Sequence, residues 1–239
     1  MSGLRYLWSI SLAVVTLSGS VIEASGDPSL SASVSRLEYR QSGHADQSSV
    51  VQAEGDIVLE NDGVRFEGRI KSKFADKESG WSAFEMHALL GKDISESWYV
   101  YGGLRQDLEP LPAWTSAVVG VNGEFLDSVG TDISLFVFET GDVAGRFEVD
   151  IDFDITQRLS LQPAFDLDVA ISGSEDRVTE TGVIVTDMGL RLIYEVNHHV
   201  SYYAGVAFER NWAATRRSAE AHRAELENAY FLIGWKLSY

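Results

Sequence analysis

Hydrophobic and polar residues alternate along most of the chain from about Ser33 onward. The clearest stretch covers residues 146–155, where Phe, Val and Ile take every second position and Arg, Glu and Asp fill the positions between them. Residues 159–171 repeat the pattern. Successive side chains point to opposite faces of a β-strand, whereas a helix would scatter these charges around its whole circumference. Both segments are therefore predicted to be strands.

The same alternation predicts strands through the rest of the chain. They lie around Leu37, Ile57, Phe66, Phe84, Val100, Val121, Leu135, Leu192 and Val206. With the two strands above and the run that ends at Tyr239, the prediction is about twelve strands, an even number as in single-chain bacterial outer-membrane barrels.

The connections between these strands alternate in length. Short ones fall at residues 61–63, 92–93, 128–130, 156–158 and 197–199, and longer polar ones at residues 76–80, 108–113, 173–180 and 213–225. The connection at Gly141 and Asp142 is short although it lies on the side of the longer ones. Tight periplasmic turns and larger external loops alternate in this way in an antiparallel, up-and-down transmembrane β-barrel.

A soluble β-sandwich or lipocalin also has alternating strands, with its apolar faces turned inward. Three features favour the membrane barrel. In residues 231–239 the apolar residues share one parity and the last residue is aromatic, which resembles the C-terminal signal recognised by the barrel-assembly machinery. The strands have about ten residues, the length that a tilted strand needs to cross a bilayer. Aromatic residues such as Trp98, Trp114 and Tyr194 lie near strand ends, as interfacial girdles require.

Energetics decides which face of the barrel meets lipid. A Lys or Arg at the bilayer midplane costs about 2–4 kcal/mol, and acidic residues somewhat less. The net stability of a folded protein is only about 5–15 kcal/mol. The charged face of residues 146–155 is therefore predicted to line the lumen, and the apolar face to contact outer-membrane lipid.

The N-terminus is predicted to be a secretory signal peptide over residues 1–24. Arg5 supplies the positive region, residues 7–17 are apolar, and Ala24 or Ser20 marks the cleavage site. A short lead over residues 25–32 and a barrel over residues 33–239 follow in this prediction. The sequence contains no cysteine, so no disulfide, thiolate metal site or lipoprotein anchor is expected. The predicted location is the bacterial outer membrane.

The formal charge of −17, from 36 acidic and 19 basic residues, indicates which classes of partner the protein can bind. It argues against nucleic acid, because proteins that bind phosphate backbones carry clustered positive charge. It is compatible with attracting cations.

Four segments carry a family resemblance. Residues 101–107 read YGGLRQD, residues 156–163 TQRLSLQP, residues 189–195 GLRLIYE and residues 203–210 YAGVAFER. In this order they resemble segments of the copper resistance protein B family of bacterial outer-membrane proteins. The resemblance implies an outer-membrane barrel that contributes to copper resistance, by binding or sequestering copper or by controlling its passage. Of the methionines, Met86 and Met188 are predicted to face lipid.

Candidate metal ligands are sought among the carboxylates and imidazoles of the predicted lumen. They are His87, Glu85, Asp107, Asp150, Asp166, Asp168, Glu195 and Glu209. His87 is the best imidazole candidate because Glu85 lies on the same face of its strand. His198 and His199 lie in a predicted turn and point apart, and His44 and His222 are predicted loop residues.

Two interpretations of this lumen stay open. Arg and carboxylate groups can form a structural network across neighbouring strands, as in a structural or passive-pore barrel. An excess of acid can instead form a path or site for cations. An outer-membrane hydrolase is a third possibility, but the sequence has no Gly-x-Ser-x-Gly, His-Glu-x-x-His or P-loop motif, so no enzymatic activity is expected.

Overall fold

The computed structural model describes residues 28–43, 48–75, 80–126, 128–172, 181–212 and 227–239. Over these residues the regular structure consists of β-strands alone. The same residues contain no helix long and apolar enough to cross a membrane. The predicted signal peptide and the predicted loops at residues 173–180 and 213–225 lie outside the described residues, as do His44 and His222.

The strands follow one another along the chain with short gaps. They are β1 Ser29–Ser42, β2 Val50–Asn61, β3 Val64–Ala75, β4 Gly80–Asp93, β5 Trp98–Glu109, β6 Trp114–Phe125, β7 Val129–Phe138, β8 Val143–Ile151, β9 Phe153–Thr156, β10 Leu159–Ala170, β11 Gly182–Asn197, β12 Val200–Asn211 and β13 Glu227–Ser238.

Each strand pairs antiparallel with its neighbours, and the sheet closes because β1 pairs with β13. β8 and β9 both pair with β10 and are two parts of one strand, interrupted at Asp152. The ring therefore has twelve strands, which confirms the predicted antiparallel barrel. β1 begins at Ser29, earlier than the predicted barrel start at Ser33.

The two ends of the barrel differ in their connections. At one end, the turn end, the β2–β3 connection places Asp62 and Gly63 at positive φ of 51° and 70°, as a two-residue hairpin requires. Both termini of the barrel also lie there, where the backbone N of Tyr239 donates to the Ala32 carbonyl at 2.8 Å. The opposite end, the loop end, holds residues 110–113 and the short connection through Gly141. Its other connections extend into residues outside the description.

The outward face of the barrel is apolar, as predicted. Phe66 and Phe231 are each more than half exposed, and Met86 and Met188 lie on the same face. The charged residues point into the lumen, where Glu67, Arg105 and others are buried. This is the reverse of a soluble sandwich and suits a barrel surrounded by lipid.

The lumen also contains apolar and aromatic side chains. One cluster includes Ile193, Tyr203 and Leu232, and another includes Leu89, Tyr101, Val118 and Phe136. These residues fill the barrel between its charged groups. The interior is therefore packed over part of its cross-section rather than being uniformly polar.

Two inner glycines allow aromatic rings to lie against the barrel wall. A Cβ atom on Gly120 would sit 2.3 Å from Cζ of Tyr101, and one on Gly234 would sit 2.5 Å from Cζ of Tyr203. Each tyrosine is paired with its glycine across neighbouring strands. The rings could not take these positions over any other residue.

Candidate functional site

The lumen is crossed by ion pairs between strands that are not neighbours. The first group links β1 to β11, past β12 and β13. The Arg191 Nε donates to Glu38 at 2.8 Å, and the Arg40 Nε donates to the same carboxylate at 2.6 Å. Arg40 also pairs with Asp187. The side chains of Glu38 and Arg40 are fully buried, so this group is held in place by packing as well as by charge.

A second group, the His87 cluster, joins β4 to β8 and β10 across the barrel. Its members are Glu85, His87, Arg105, Asp107, Arg146 and Asp168. The Arg146 guanidinium donates to both oxygens of Glu85, at 2.9 and 3.1 Å, and to Asp168 at 2.7 Å. Arg105 lies 3.0 Å from Glu85 and donates to Asp107 at 2.5 Å. Each carboxylate of the cluster is therefore paired with a guanidinium, and three carboxylates share the two guanidinium groups.

His87 is buried at the edge of this cluster. Its Nε2 lies 3.5 Å from Glu85 Oε2, at the limit of a hydrogen bond, and its ring packs edge-on against Phe136. Arg105 stacks over the same Phe136 ring, with 4.4 Å between its guanidinium carbon and the ring centre. The residues that line the two cavities described below include Glu85 but not His87.

A third group surrounds Asp132 on β7. Arg69 donates to Asp132 at 2.8 Å, Tyr101 donates to it at 2.5 Å, and Asn122 donates at 3.0 Å. Arg69 also donates to the Tyr99 hydroxyl at 2.8 Å and pairs with Glu67. One carboxylate here accepts from several strands, which fixes β3 relative to β7.

Two cavities lie between these groups. The turn-side cavity, of about 590 Å³, reaches Glu60, Glu124 and Lys236 near the turn end. The loop-side cavity, of about 620 Å³, reaches Ser82 and Asn228 near the loop end. Nine carboxylates and six cationic side chains line the turn-side cavity. Seven carboxylates and four cationic side chains line the loop-side cavity. Both cavities are therefore acidic in spite of the ion pairs.

Five charged side chains line both cavities and form what we call the central girdle. They are Arg36, Glu54, Lys71, Glu148 and Asp166. Lys71 on β3 pairs with Glu148 on β8, with β4 to β7 between them. Arg36 lies 2.9 Å from Glu54 and 3.8 Å from Asp166 on β10. The girdle thus crosses the lumen at the level where the two cavities meet.

The predicted ligands are spread over the length of the lumen. Four of them, Glu85, His87, Asp107 and Asp168, come together in the His87 cluster, and Asp166 belongs to the central girdle. Asp150 lines the turn-side cavity and accepts from Gln162 at 3.1 Å. Glu209 is held by Lys73 at 2.6 Å, and Glu195 pairs with the exposed His198 near the turn end. Within the described ranges, no three His, Asp or Glu side chains are arranged to hold a metal ion.

Several residues that line the lumen were not predicted from the sequence, and most of them lie on β1 and β2. Arg36, Glu38 and Arg40 were not predicted because the register of β1 shifts between Val34 and Leu37, which breaks the alternation. Glu54 on β2 was missed as well. Beyond that shift, Glu38 and Arg40 alternate with apolar residues. That local alternation was the feature of the sequence from which Glu38 and Arg40 could have been predicted to face the lumen.

Solved structures with similar architecture are outer-membrane barrels. The NanC porin superposes with a TM-score of 0.53 at 11% identity, over 87% of this chain and 99% of that one. The outer membrane phospholipase A of Escherichia coli superposes with a TM-score of 0.52 at 11% identity, over 85% of this chain and 92% of that one. At such identities the likeness concerns the fold.

Sequence relatives are closer. The Copper resistance protein B homolog of Pseudomonas syringae pv. tomato is 29% identical over 76% of this chain and 58% of its own length. Copper resistance protein B of Escherichia coli is 30% identical over 70% of this chain and 57% of its own. The aligned part therefore spans somewhat over half of each relative. The family model described as Copper resistance protein B precursor matches residues 29–239. This chain belongs to the copper resistance protein B family.

Proposed function

We propose that this protein contributes to copper resistance in the bacterial outer membrane by controlling the passage of copper ions through its acidic lumen. The observation that carries the proposal is the surplus of carboxylates over cationic side chains in both cavities. A cleft with an excess of one charge concentrates ions of the opposite sign, and acidic rings select cations in channels. The relatives named for copper resistance supply the identity of the ion.

The proposal places the protein in the outer membrane after export with cleavage of the signal peptide. The apolar outward face supports this location. It also supports outer-membrane lipid as a partner, and the barrel-assembly machinery is a further partner in this proposal.

Passage fits the geometry better than tight storage. Both oxygens of Glu85 accept from Arg146, and Arg105 approaches the same carboxylate. A copper ion bound there would have to displace guanidinium groups and then lie close to their positive charge. The proposal therefore relies on the carboxylates that line the cavities and not on a closed site at His87.

Asp56 and Asp150 are the carboxylates on which the test concentrates. Both line the turn-side cavity, Asp56 accepts from Ser33 at 2.6 Å, and Asp150 accepts from Gln162. None of the ion pairs among the described residues includes either of them. Their charge is therefore available to attract cations.

The experiment is growth in copper of a copper-sensitive Gram-negative host that expresses the full chain. We expect the wild type to improve growth, and the Asp56→Asn/Asp150→Asn variant to lose most of that protection. The matched control, Glu96→Gln/Glu139→Gln, removes the same charge from exposed positions and is expected to protect as well as the wild type. Equal protection by both variants at equal outer-membrane levels would contradict the proposal.

A structural or passive barrel is the second candidate. The pairing of Glu85, Asp107 and Asp168 with Arg105 and Arg146 favours it, because carboxylates that already accept from guanidinium groups need no metal ion to satisfy them. In that case neither pair of substitutions would alter growth in copper.

We also propose that the barrel has no hydrolytic activity. His87 lies within 3.5 Å of Glu85, and the His199 Nδ1 donates to the backbone carbonyl of Ser238 and not to a serine hydroxyl. A serine nucleophile requires a hydroxyl within reach of such an imidazole. Turnover of phospholipid or peptide substrates by the purified barrel would disprove this.

A further inference from the structure

We propose that the central girdle is a gate, in which the Lys71–Glu148 pair is a movable bar that limits ion flow between the two cavities. For the identity of the natural cation this inference rests on the proposed function. The existence of the barrier does not depend on copper and can be tested with simple salts.

The first argument is position. The five girdle residues are the ones that line both cavities, so an ion that leaves one cavity for the other must pass between them. Lys71 and Glu148 project from β3 and β8 and meet inside the barrel. Their contact spans the lumen, because β4 to β7 separate the two strands on one side.

The second argument is freedom to move. The side chains of Lys71 and Glu148 are 21% and 25% exposed, because water can reach them from the cavities. By contrast, the side chains of Glu38 and Arg40 are 0% exposed and are confined by their neighbours. Long side chains on rigid strands can exchange rotamers in water without any movement of the backbone. The bar can therefore open while the buried ion pairs hold the barrel in shape.

The third argument concerns which ions the gate admits. The girdle contains three carboxylates and two cationic side chains, so one carboxylate is in excess. Asp166 is the most weakly paired of them, since its distance to Arg36 is 3.8 Å. An excess carboxylate at a constriction favours cations over anions. We assign the cation preference of the open gate to Asp166.

The experiment measures conductance across planar bilayers that contain the refolded barrel, in KCl at pH 8. We expect low conductance for the wild type and a several-fold increase for Lys71→Ala/Glu148→Ala. The matched control is Lys73→Ala/Glu209→Ala, which removes another lumen-crossing pair, with a distance of 2.6 Å. Both of its residues line only the loop-side cavity, so the control is expected to conduct like the wild type.

Selectivity is measured as the reversal potential under a KCl gradient. In the Lys71→Ala/Glu148→Ala background we expect a preference for K⁺ that falls when Asp166→Asn is added. Heat-modifiable migration on gels shows whether each variant has folded. If the double alanine variant does not fold, Lys71→Gln, which keeps most of the side-chain volume, is expected to give a smaller increase in the same direction.

Several results would overturn the gate. A wild type that already conducts as much as Lys71→Ala/Glu148→Ala would do so, and so would an equal rise in the Lys73→Ala/Glu209→Ala control. Unchanged conductance in folded Lys71 variants would also overturn it. Failure of copper protection with a positive conductance result would remove the copper function and leave the gate intact.

Discussion

Glu38 and its two arginine partners are among the charged residues that the barrel keeps from water. Glu38 accepts from Arg40 at 2.6 Å and from Arg191 at 2.8 Å, and its side chain is completely buried. Removing one member of a buried, hydrogen-bonded group leaves its partners without compensation. We therefore expect each of these residues to contribute strongly to the free energy of unfolding.

The substitution Glu38→Gln tests this at the residue scale. It leaves Arg191 without its ion pair, so we expect the free energy of unfolding to fall by about 3–5 kcal/mol. The measurement is denaturant unfolding in phospholipid vesicles, followed by the fluorescence of the tryptophans in the barrel, such as Trp98 and Trp114. In the control Glu227→Gln, the broken pair with Arg210 is about half exposed, and a loss below about 1 kcal/mol is expected. Similar losses in both variants would show that burial does not determine how much an ion pair contributes to the free energy of unfolding.

At the scale of the strands, close packing inside the barrel depends on glycine. Gly120 on β6 lies beneath the Tyr101 ring, and a Cβ atom there would also approach the Ile133 carbonyl at 2.7 Å. Gly68 on β3 faces outward with open space around it. The two positions therefore differ in packing while both lie within a strand.

We expect Gly120→Val to destabilise the barrel by about 1–3 kcal/mol, because the added carbons overpack the inner face. Gly68→Val should leave the folded fraction unchanged or raise it, since valine suits an outward strand position. The fraction of heat-modifiable protein after refolding into vesicles measures both. A Gly68→Val variant that folds as poorly as Gly120→Val would contradict the packing argument.

The strands also show how far the sequence predicts this structure. Alternation located β8 and β10 well, because lipid outside and charge inside impose opposite demands on successive residues. It failed on β1, where the register shift between Val34 and Leu37 breaks the pattern. It also gave no sign that Phe136 faces inward, since alternation separates the two faces of a strand only where the lumen is polar.

The ion pairs inside the lumen could not be predicted from the sequence, for a geometric reason. Glu85 and Arg146 meet across the barrel, and so do Lys71 and Glu148. Which side chains meet there depends on ring closure, strand tilt and stagger, none of which can be obtained from the alternation alone. The sequence thus predicted that the charged face of β8 lines the lumen, but not the girdle that Glu148 forms there with residues of four other strands.

At the scale of the whole molecule, a negative chain of formal charge −17 folds into a barrel whose interior stays acidic after its ion pairs are made. The family relates this barrel to copper resistance, and the two cavities joined at the central girdle suit a controlled path better than a closed site. We therefore predict that the passage of copper through the barrel depends on both the girdle and the carboxylates of Asp56 and Asp150.

The most direct test is the rate at which Cu²⁺ enters phospholipid vesicles that contain the refolded barrel and a trapped copper indicator. Vesicles with Lys71→Ala/Glu148→Ala should admit Cu²⁺ faster than vesicles with the wild type, and adding Asp56→Asn/Asp150→Asn should slow that entry. If Cu²⁺ enters vesicles with the folded Lys71→Ala/Glu148→Ala barrel no faster than protein-free vesicles, the lumen is not a path for copper and the account is wrong.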